Sequence, residues 1–332
     1  MEIASERAVA VVDRTQIAEA RRKASELARG IGLDEKATGR VAIVVTESAT
    51  NLVNHAGGGQ ILLQAILHDG RHWVDVLALD RGPGIANVGE ALRDGFSTKG
   101  SPGTGLGAIV RQSDLFDIHS AAGVGTAMFA RVSDGTDGQD VAVGGVCVPK
   151  KGQDVCGDGW AVAHESGRVR VLLSDGLGHG PPAAEASARA REAFLAHPRL
   201  DPVALVGMMH DALRPTRGAA VAVTDIDRGR GIVRFAGVGN VAGAILAGAE
   251  CRRMVSVHGT LGHDLRRTQQ FEYPWPNGAL LVMHSDGLGS TWNLDRYRGL
   301  ESRASSLIAA ILYRDFHRGR DDTTVVVMRD RR

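Results

Sequence analysis

Cysteine is scarce in this 332-residue chain: Cys147, Cys156 and Cys251, an odd count with no Cys-x-x-Cys pair. That pattern argues against a disulfide framework. An excess of one charge is missing too, since 39 Lys and Arg against 38 Asp and Glu leave a net +1. No strong field points to nucleic acid or to an anionic membrane. No apolar run is long enough to span a bilayer. The first ten residues carry Glu2 and Glu6 and lack the apolar core of an export signal. These absences lead to the expectation of a cytoplasmic protein with no nucleic-acid or membrane partner. Aromatics are few, at 4%, whereas glycine is abundant, at 43 residues. That balance suits tight turns and close backbone approaches, as nucleotide and phosphate sites require. The length is generous for one domain and comfortable for two.

One short run occurs twice. Ser174-Asp175-Gly176-Leu177-Gly178 is repeated as Ser285-Asp286-Gly287-Leu288-Gly289. Each copy follows an apolar stretch, residues 169–173 and 279–283, and so reads as a buried strand that ends on an aspartate and turns on glycine. A strand fixes the carboxylate, and glycine lets backbone approach an ion closely. Gly157-Asp158-Gly159 and Asp321-Asp322-Thr323-Thr324 add further acids, the latter just before the apolar residues 325–328. Any one Asp-Gly pair is explained as a hairpin turn. Four acidic strand ends in one half of the chain point instead to hard cations, and two such ends side by side can hold two of them.

The first half reads differently. Helical spacing marks residues 15–30, and a second helix runs from after Asp34 to about His55. Glu47 and Asn51 lie four apart on it, on one face that is not the apolar one. Strands at residues 61–67 and 72–79 flank the Asp69-Gly70 turn. The second ends in Asp80-Arg81-Gly82-Pro83-Gly84. A flexible stretch, residues 94–101, leads into Gly103-Thr104-Gly105-Leu106-Gly107, which opens a helix, and strands follow at 115–120 and 126–132. Glu47 could deprotonate a nucleophile, and Asn51 could offer its carbonyl oxygen to magnesium. Asp80 could accept from an adenine amine, with Gly82 and Gly84 clearing space for the base. The helix opened by Gly103 to Gly107 suits phosphates, and Lys99 could add a charged contact. Singly, each has a bland reading: a solvated helix face, a turn, a glycine-rich loop.

Together they resemble the GHKL ATPase superfamily: Thr46-Glu47-Ser48-Ala49-Thr50-Asn51 its N box, Asp80 to Gly84 its G1 box, Gly103 to Gly107 its G2 box, and Gly123-Val124-Gly125-Thr126 its last glycine box. Within it the chain is similar to the bacterial anti-sigma and switch protein kinases of RsbW and RsbT type, and Asp94-Gly95-Phe96-Ser97-Thr98 is especially RsbT-like. The resemblance implies a Bergerat ATP fold and Mg-ATP-dependent phosphorylation of Ser or Thr on a STAS-domain partner. It makes Glu47 the general base, Asn51 the magnesium ligand and Asp80 the adenine anchor, with Gly82, Gly84, Lys99, Gly103, Thr104, Gly105, Leu106, Gly107 and Thr126 around the nucleotide. His55, next to the N box, reads as a packing or capping residue.

Residues 133–139 are polar and glycine-rich, the signature of a linker. Beyond them a strand opens at residues 141–148. Helices follow at about 181–195, 202–213 and 301–316, with strands at 219–224, 231–238, 241–246 and 323–328. Strands in runs with paired helices read as sheets packed against helices. Gly157-Asp158, Ser174-Asp175-Gly176, Phe235-Ala236-Gly237-Val238-Gly239-Asn240, Ser285-Asp286-Gly287 and Asp321-Asp322-Thr323 resemble the metal-dependent type 2C phosphatases of the SpoIIE and RsbX branch. That likeness implies two Mn or Mg ions and a hydroxide attacking the phosphorus of phosphoserine or phosphothreonine. Asp158, Asp175 and Asp286, with Asp321 or Asp322, would supply carboxylates, and Gly176 a carbonyl. No early Arg stands where eukaryotic members bind phosphate, so phosphate orientation is unassigned. His179 reads either as a proton shuttle or as a surface turn residue. Cys147 and Cys156 read as buried small residues, because hard cations prefer oxygen.

The expected architecture is therefore α/β (α+β) with two domains: a Bergerat sandwich over 1–132, a linker over 133–139 and an α-β-β-α phosphatase sandwich over 140–332. The expected function is a partner-switching regulator that phosphorylates a STAS-domain protein with ATP and Mg2+ and removes such phosphates with Mn2+ or Mg2+. A sigma factor or signalling enzyme is a further class of partner, and the oligomeric state is open. Two alternatives stand beside it: a phosphatase gated by a non-catalytic ATP-binding domain, and a sequestering protein of anti-sigma type.

Overall fold

The computed structural model of the protein describes residues 1–92, 105–135, 142–165 and 167–329. Lys99, Gly103 and Thr104, the RsbT-like residues 94–98 and the linker residues 136–139 lie outside them. The chain divides into two compact units. One comprises Ile3–Val141 with Leu294–Arg314; the other comprises Met1–Glu2, Ala142–Asn293 and Asp315–Arg332.

The first unit holds β1 (Glu2–Val11), α1 (Thr15–Gly30), α2 (Glu35–Asn51), β2 (Gly59–His68), β3 (Arg71–Leu79), α3 (Val88–Ala91), α4 (Gly105–Gln112), β4 (Leu115–Ala121) and β5 (Gly125–Ser133). Its strands run in the order β1-β2-β3-β5-β4. Asp34 starts α2 by accepting from the Ala37 amide at 2.6 Å, an N-cap on a helix's free donors. Val41, Val44, Val45 and Ala49 form the buried stripe of α2 and pack with Ala20, Ala24 and Leu27 of α1 and with Ile61, Leu63, Val74 and Val76 of the sheet. This stripe leaves Glu47 and Asn51 on another face. The helix ends in a wide turn, Leu52–Ala56, closed by Gly57 at φ +75°. β1 has no sequence signal because Glu6 and Arg7 interrupt its buried Ile3, Val9 and Val11.

The second unit holds β6 (Val143–Val148), β7 (Asp158–Glu165), β8 (Arg168–Gly176), α5 (Pro181–Ala196), α6 (Pro202–Leu213), β9 (Ala219–Asp227), β10 (Ile232–Val238), β11 (Ala242–Ala247), β12 (Glu250–Met254), β13 (Phe271–Pro274), β14 (Leu280–His284) and β15 (Thr323–Arg329). β7-β8-β9-β10-β13 follow one another in one sheet, and β12-β11-β14-β15-β6 form another. Phe194 of α5 and Leu205, Met209 and Leu213 of α6 pack on Leu172, Val221, Val223 and Ala236 of the first sheet. Gly145 of β6 admits Trp160 of β7, whose indole lies 3.2 Å from where a Cβ would stand. The layers are thus helices, sheet, sheet.

One segment departs from a continuous domain at 140–332. Leu294–Arg314, including most of α7 (Ser305–Phe316), groups with the first unit. The Tyr313 hydroxyl donates to Gln60 Oε1 at 3.2 Å, Arg303 to Asp117 at 3.1 Å, and the Ala304 amide to Asp117 Oδ2 at 2.7 Å. Helical periodicity declares an apolar face but not which sheet that face covers, so the sequence carried no sign of this.

Candidate active sites

In the first unit, β3 delivers Asp80 to the sheet end. Its Oδ1 accepts from the amides of Gly82 (2.8 Å) and Thr126 (3.0 Å). Oδ2 takes no hydrogen bond from the described residues and is left for a ligand. A side chain on Gly82 would stand 2.7 Å from Ala56 Cα; on Gly84, 2.2 Å from the Ala121 carbonyl; on Gly125, 2.3 Å from the Asp80 carbonyl. These glycines let three chain segments meet around one carboxylate. Arg314 donates to the Asp80 carbonyl at 3.0 Å, and Arg81 donates to the Arg314 carbonyl.

Glu47 and Asn51 converge on the start of α4. A Cβ at Gly105 would lie 3.3 Å from Glu47 Oε2 and 3.4 Å from Asn51 Oδ1. A carboxylate, an amide oxygen and the N-terminal turn of a helix thus share one place, where free N–H groups suit phosphate. Leu106 packs against the core of the unit, and Gly107 is buried in the first turn of α4. His55 is exposed in the turn after α2.

In the second unit, Asp158 and Asp175 are directly opposed across β7 and β8, a spacing that sets Cβ atoms about 5 Å apart. Asp158 is buried, and its Oδ2 has no hydrogen-bond partner among the described residues. Burial first, then the charge of Asp175, pushes its carboxyl well above the usual range. Burial, then Asp286, Asp321 and Asp322, raise Asp175 to about 7. Burial also raises Asp322. Desolvated acids that repel one another favour protonation or a cation.

Asp286 is oriented by Asn240, whose Nδ2 donates to Oδ2 at 2.5 Å. Asp321 and Asp322 are told apart by their partners. Both oxygens of Asp322 are occupied, by the amides of Lys150 (2.6 Å) and Gly157 (2.8 Å). Asp321 is exposed, and among the described residues its Oδ1 accepts only the neighbouring Asp322 amide, at 2.9 Å. Among the described residues, no three of the five carboxylates each bring an oxygen within 4.8 Å of the other two. The acids are therefore spaced more widely than a closed three-ligand cage, and their all-oxygen donor set fits Mg or Mn. A side chain at Gly176 would stand 2.2 Å from the Ala183 carbonyl. Cys147 and Cys156 are buried, and the Cys147 thiol points to the Asp158 carbonyl at 3.6 Å. His179 is exposed.

Three contributors were given no role by the sequence, although Asn240 and Ser285 stand inside the phosphatase-like motifs. Asn240 looked like part of a glycine turn. Ser285 Oγ accepts the Thr324 amide at 2.9 Å and ties β14 to β15. His284 is buried and held neutral, chiefly by burial. Its Nε2 accepts from Trp292 at 3.0 Å, which leaves Nδ1 to donate to the Ser285 carbonyl at 2.8 Å. Only a search for polar residues inside otherwise apolar strands would have singled it out.

Comparison with known proteins agrees with both sets of motifs. The family described as Stage II sporulation protein E (SpoIIE) matches residues 165–331, and the histidine kinase-like ATPase domain matches residues 11–131. The chain is similar to the serine/threonine-protein kinase RsbT of Bacillus subtilis (strain 168), 33% identical over 122 residues, covering 37% of this chain and 92% of RsbT. It is similar to the phosphoserine phosphatase RsbX of the same organism, 23% identical over 140 residues, covering 42% of this chain and 70% of RsbX. A solved structure described as "The bacterial stressosome: a modular system that has been adapted to control secondary messenger signaling" matches with a TM-score of 0.53 at 28% identity, over 56% of this chain and 97% of its own.

Proposed function

The chain belongs to the stage II sporulation protein E family, with a histidine kinase-like ATPase domain of RsbT type ahead of the family's phosphatase region, and from this we propose a bifunctional partner-switching regulator. It uses ATP to phosphorylate Ser or Thr of a STAS-domain protein, and it hydrolyses phosphoserine or phosphothreonine at a pair of divalent ions. The functional domains are taken as residues 1–132 and 140–332, joined by 133–139.

The observation that carries the reading is the opposed pair Asp158 and Asp175, two desolvated carboxyls with an unpartnered buried oxygen. That arrangement costs stability unless a cation sits there. Asp158, Asp175, Asp286 and Asp321 would hold the ions, with the Gly176 carbonyl. Asp322 would act by fixing the Lys150 and Gly157 amides, since both its oxygens are occupied. Bound Mg or Mn would supply Lewis acidity to the phosphoryl oxygens and lower the pKa of a water. Asn240 orients Asp286 for this task, and the neutral His284 holds the Ser285 carbonyl.

For the kinase half, Glu47 stands where a hydroxyl approaching the phosphate end of a nucleotide would lose its proton. Asn51 would hold magnesium, Asp80 the adenine, and Gly105, Leu106 and Gly107 the phosphate-facing helix turn. The Ser or Thr oxygen bonds to the γ-phosphorus of ATP as the bond to the bridging oxygen breaks; the phosphoryl group is transferred, ADP leaves, and the hydroxyl proton passes to Glu47. The kinase RsbT and the phosphatase RsbX support the pairing of opposed activities.

The test incubates the purified chain with a STAS-domain protein, ATP and Mg, and separately with the phosphorylated partner and Mn, reading phosphate by mass spectrometry. Glu47→Gln should abolish transfer and keep nucleotide binding. Asp175→Ala should abolish release and keep transfer. A Glu47→Gln chain that still transfers phosphate refutes the kinase assignment.

A further inference from the structure

We propose that Arg217 binds and orients the phosphoryl group of the phosphatase site. The assignment rests on the phosphatase reading above and supplies the phosphate contact that the sequence leaves without an owner. Its substrate class is the phosphate monoester of a Ser or Thr side chain.

The placement follows from the strand register. Asp175 is opposite Ala220 and Gly176 opposite Ala219 across β8 and β9. One step further out, the Leu177 amide donates to the Gly218 carbonyl at 3.0 Å. Arg217 therefore flanks the loop that leaves Asp175. Its guanidinium lies over that loop: a Cβ at Gly178 would stand 3.1 Å from Arg217 Nη1. The guanidinium thus packs close over the backbone three residues past the carboxylate.

The backbone of Arg217 is held firmly on both sides. The Gly218 amide donates to Thr216 Oγ1 at 3.0 Å, and the His263 Nε2 meets the Arg217 carbonyl at 2.9 Å. Gly218 turns at φ +79°, and a side chain there would stand 2.4 Å from the Leu261 carbonyl. Yet the guanidinium itself is exposed and has no ion pair or hydrogen bond with a described residue. The neighbouring acids repel a phosphate dianion, so a cation at the rim complements what bound metal supplies. The guanidinium fork presents two parallel N–H donors, which match two phosphoryl oxygens. Arg191, near Gly159, is already engaged.

The test uses the full chain with Mn. Parent, Arg217→Ala, Arg217→Lys and, as a surface control, Arg189→Ala are assayed on p-nitrophenyl phosphate and on a phosphoserine peptide. Calorimetry measures affinity for inorganic phosphate and for Mn. For Arg217→Ala, KM should rise and phosphate affinity fall by about tenfold to a hundredfold, with Mn affinity kept. Arg217→Lys should recover part of the loss, and Arg189→Ala should stay within about twofold of parent. Arg217→Ala with unchanged KM and phosphate affinity overturns the assignment, as does a loss that merely tracks weaker Mn binding. A parent chain that neither hydrolyses these substrates nor binds phosphate sinks the phosphatase reading, and the assignment with it.

Discussion

Without metal, the second unit should lose stability as pH rises through neutrality, and Asp175 should be a main reason. Its carboxyl titrates near 7 in the fold against 3.8 in a free chain. The shift is raised, so between these values the folded chain holds a proton that the unfolded chain has released. Stability from this group is then full below about pH 4 and lost as pH climbs through about 7. Three units at about 1.4 kcal/mol each give a loss of up to about 4 kcal/mol. For a unit of this size that corresponds to roughly 10 °C in Tm. The proton is shared with Asp158, which faces Asp175 across the sheet, so the acids titrate as a group.

The assay is calorimetric melting of the full chain from pH 5 to 8, in chelator and in Mn. In chelator the second unit's transition should move down with pH; with Mn it should not, because the ions bind the ionised form and stabilise by mass action. Asp175→Asn removes one of the titrating groups, so its chelator melts should lie above the parent's at pH 8 and fall less steeply with pH, the remaining slope coming from Asp158 and Asp322, which burial also raises. An Asp175→Asn chain whose melts fall with pH as steeply as the parent's would refute the reasoning.

Asn240→Ala frees Asp286 from its amide partner, and Mn affinity should weaken about tenfold to a hundredfold by titration calorimetry. Arg314→Ala removes the donor to the Asp80 carbonyl; ATP affinity should fall on the order of tenfold, while Mn binding at the other site is kept, as paired titrations would read.

Much of this was legible because the chemistry sits at element ends. Apolar runs before Asp80, Asp175 and Asp286 announced strands, and the acid that follows each was readable at once. The α2 stripe likewise separated Glu47 and Asn51 from the core. What stayed hidden depends on tertiary placement. Asn240 reaches Asp286 across 46 positions of sequence, and no local pattern says so. The identity of the freer acid, Asp321, came only from the amides that occupy Asp322. The grouping of Leu294–Arg314 with the first unit was invisible for the same reason.

The glycines after the aspartates settle why the hairpin explanation fails. A hairpin glycine is chosen for its dihedrals. Gly70 is one: with Asp69 it turns at φ +74° and +49°, and a Cβ there would meet nothing within 4 Å. Gly176 and Gly287 are not among the glycines of positive φ. A side chain would instead stand 2.2 Å from the Ala183 carbonyl at the first and 2.0 Å from the Asp322 carbonyl at the second. They are glycine for clearance, so that a neighbouring chain can close on the acid. Two substitutions separate the cases. Gly70→Asn should be tolerated, at under about 1 kcal/mol, since Asn accepts left-handed backbone. Gly287→Ala must push the Asp321-Asp322 segment away from Asp286, costing about 1–3 kcal/mol of stability and most of the Mn affinity. A Gly287→Ala chain that binds Mn like the parent would mean that this clearance does not shape the ion site.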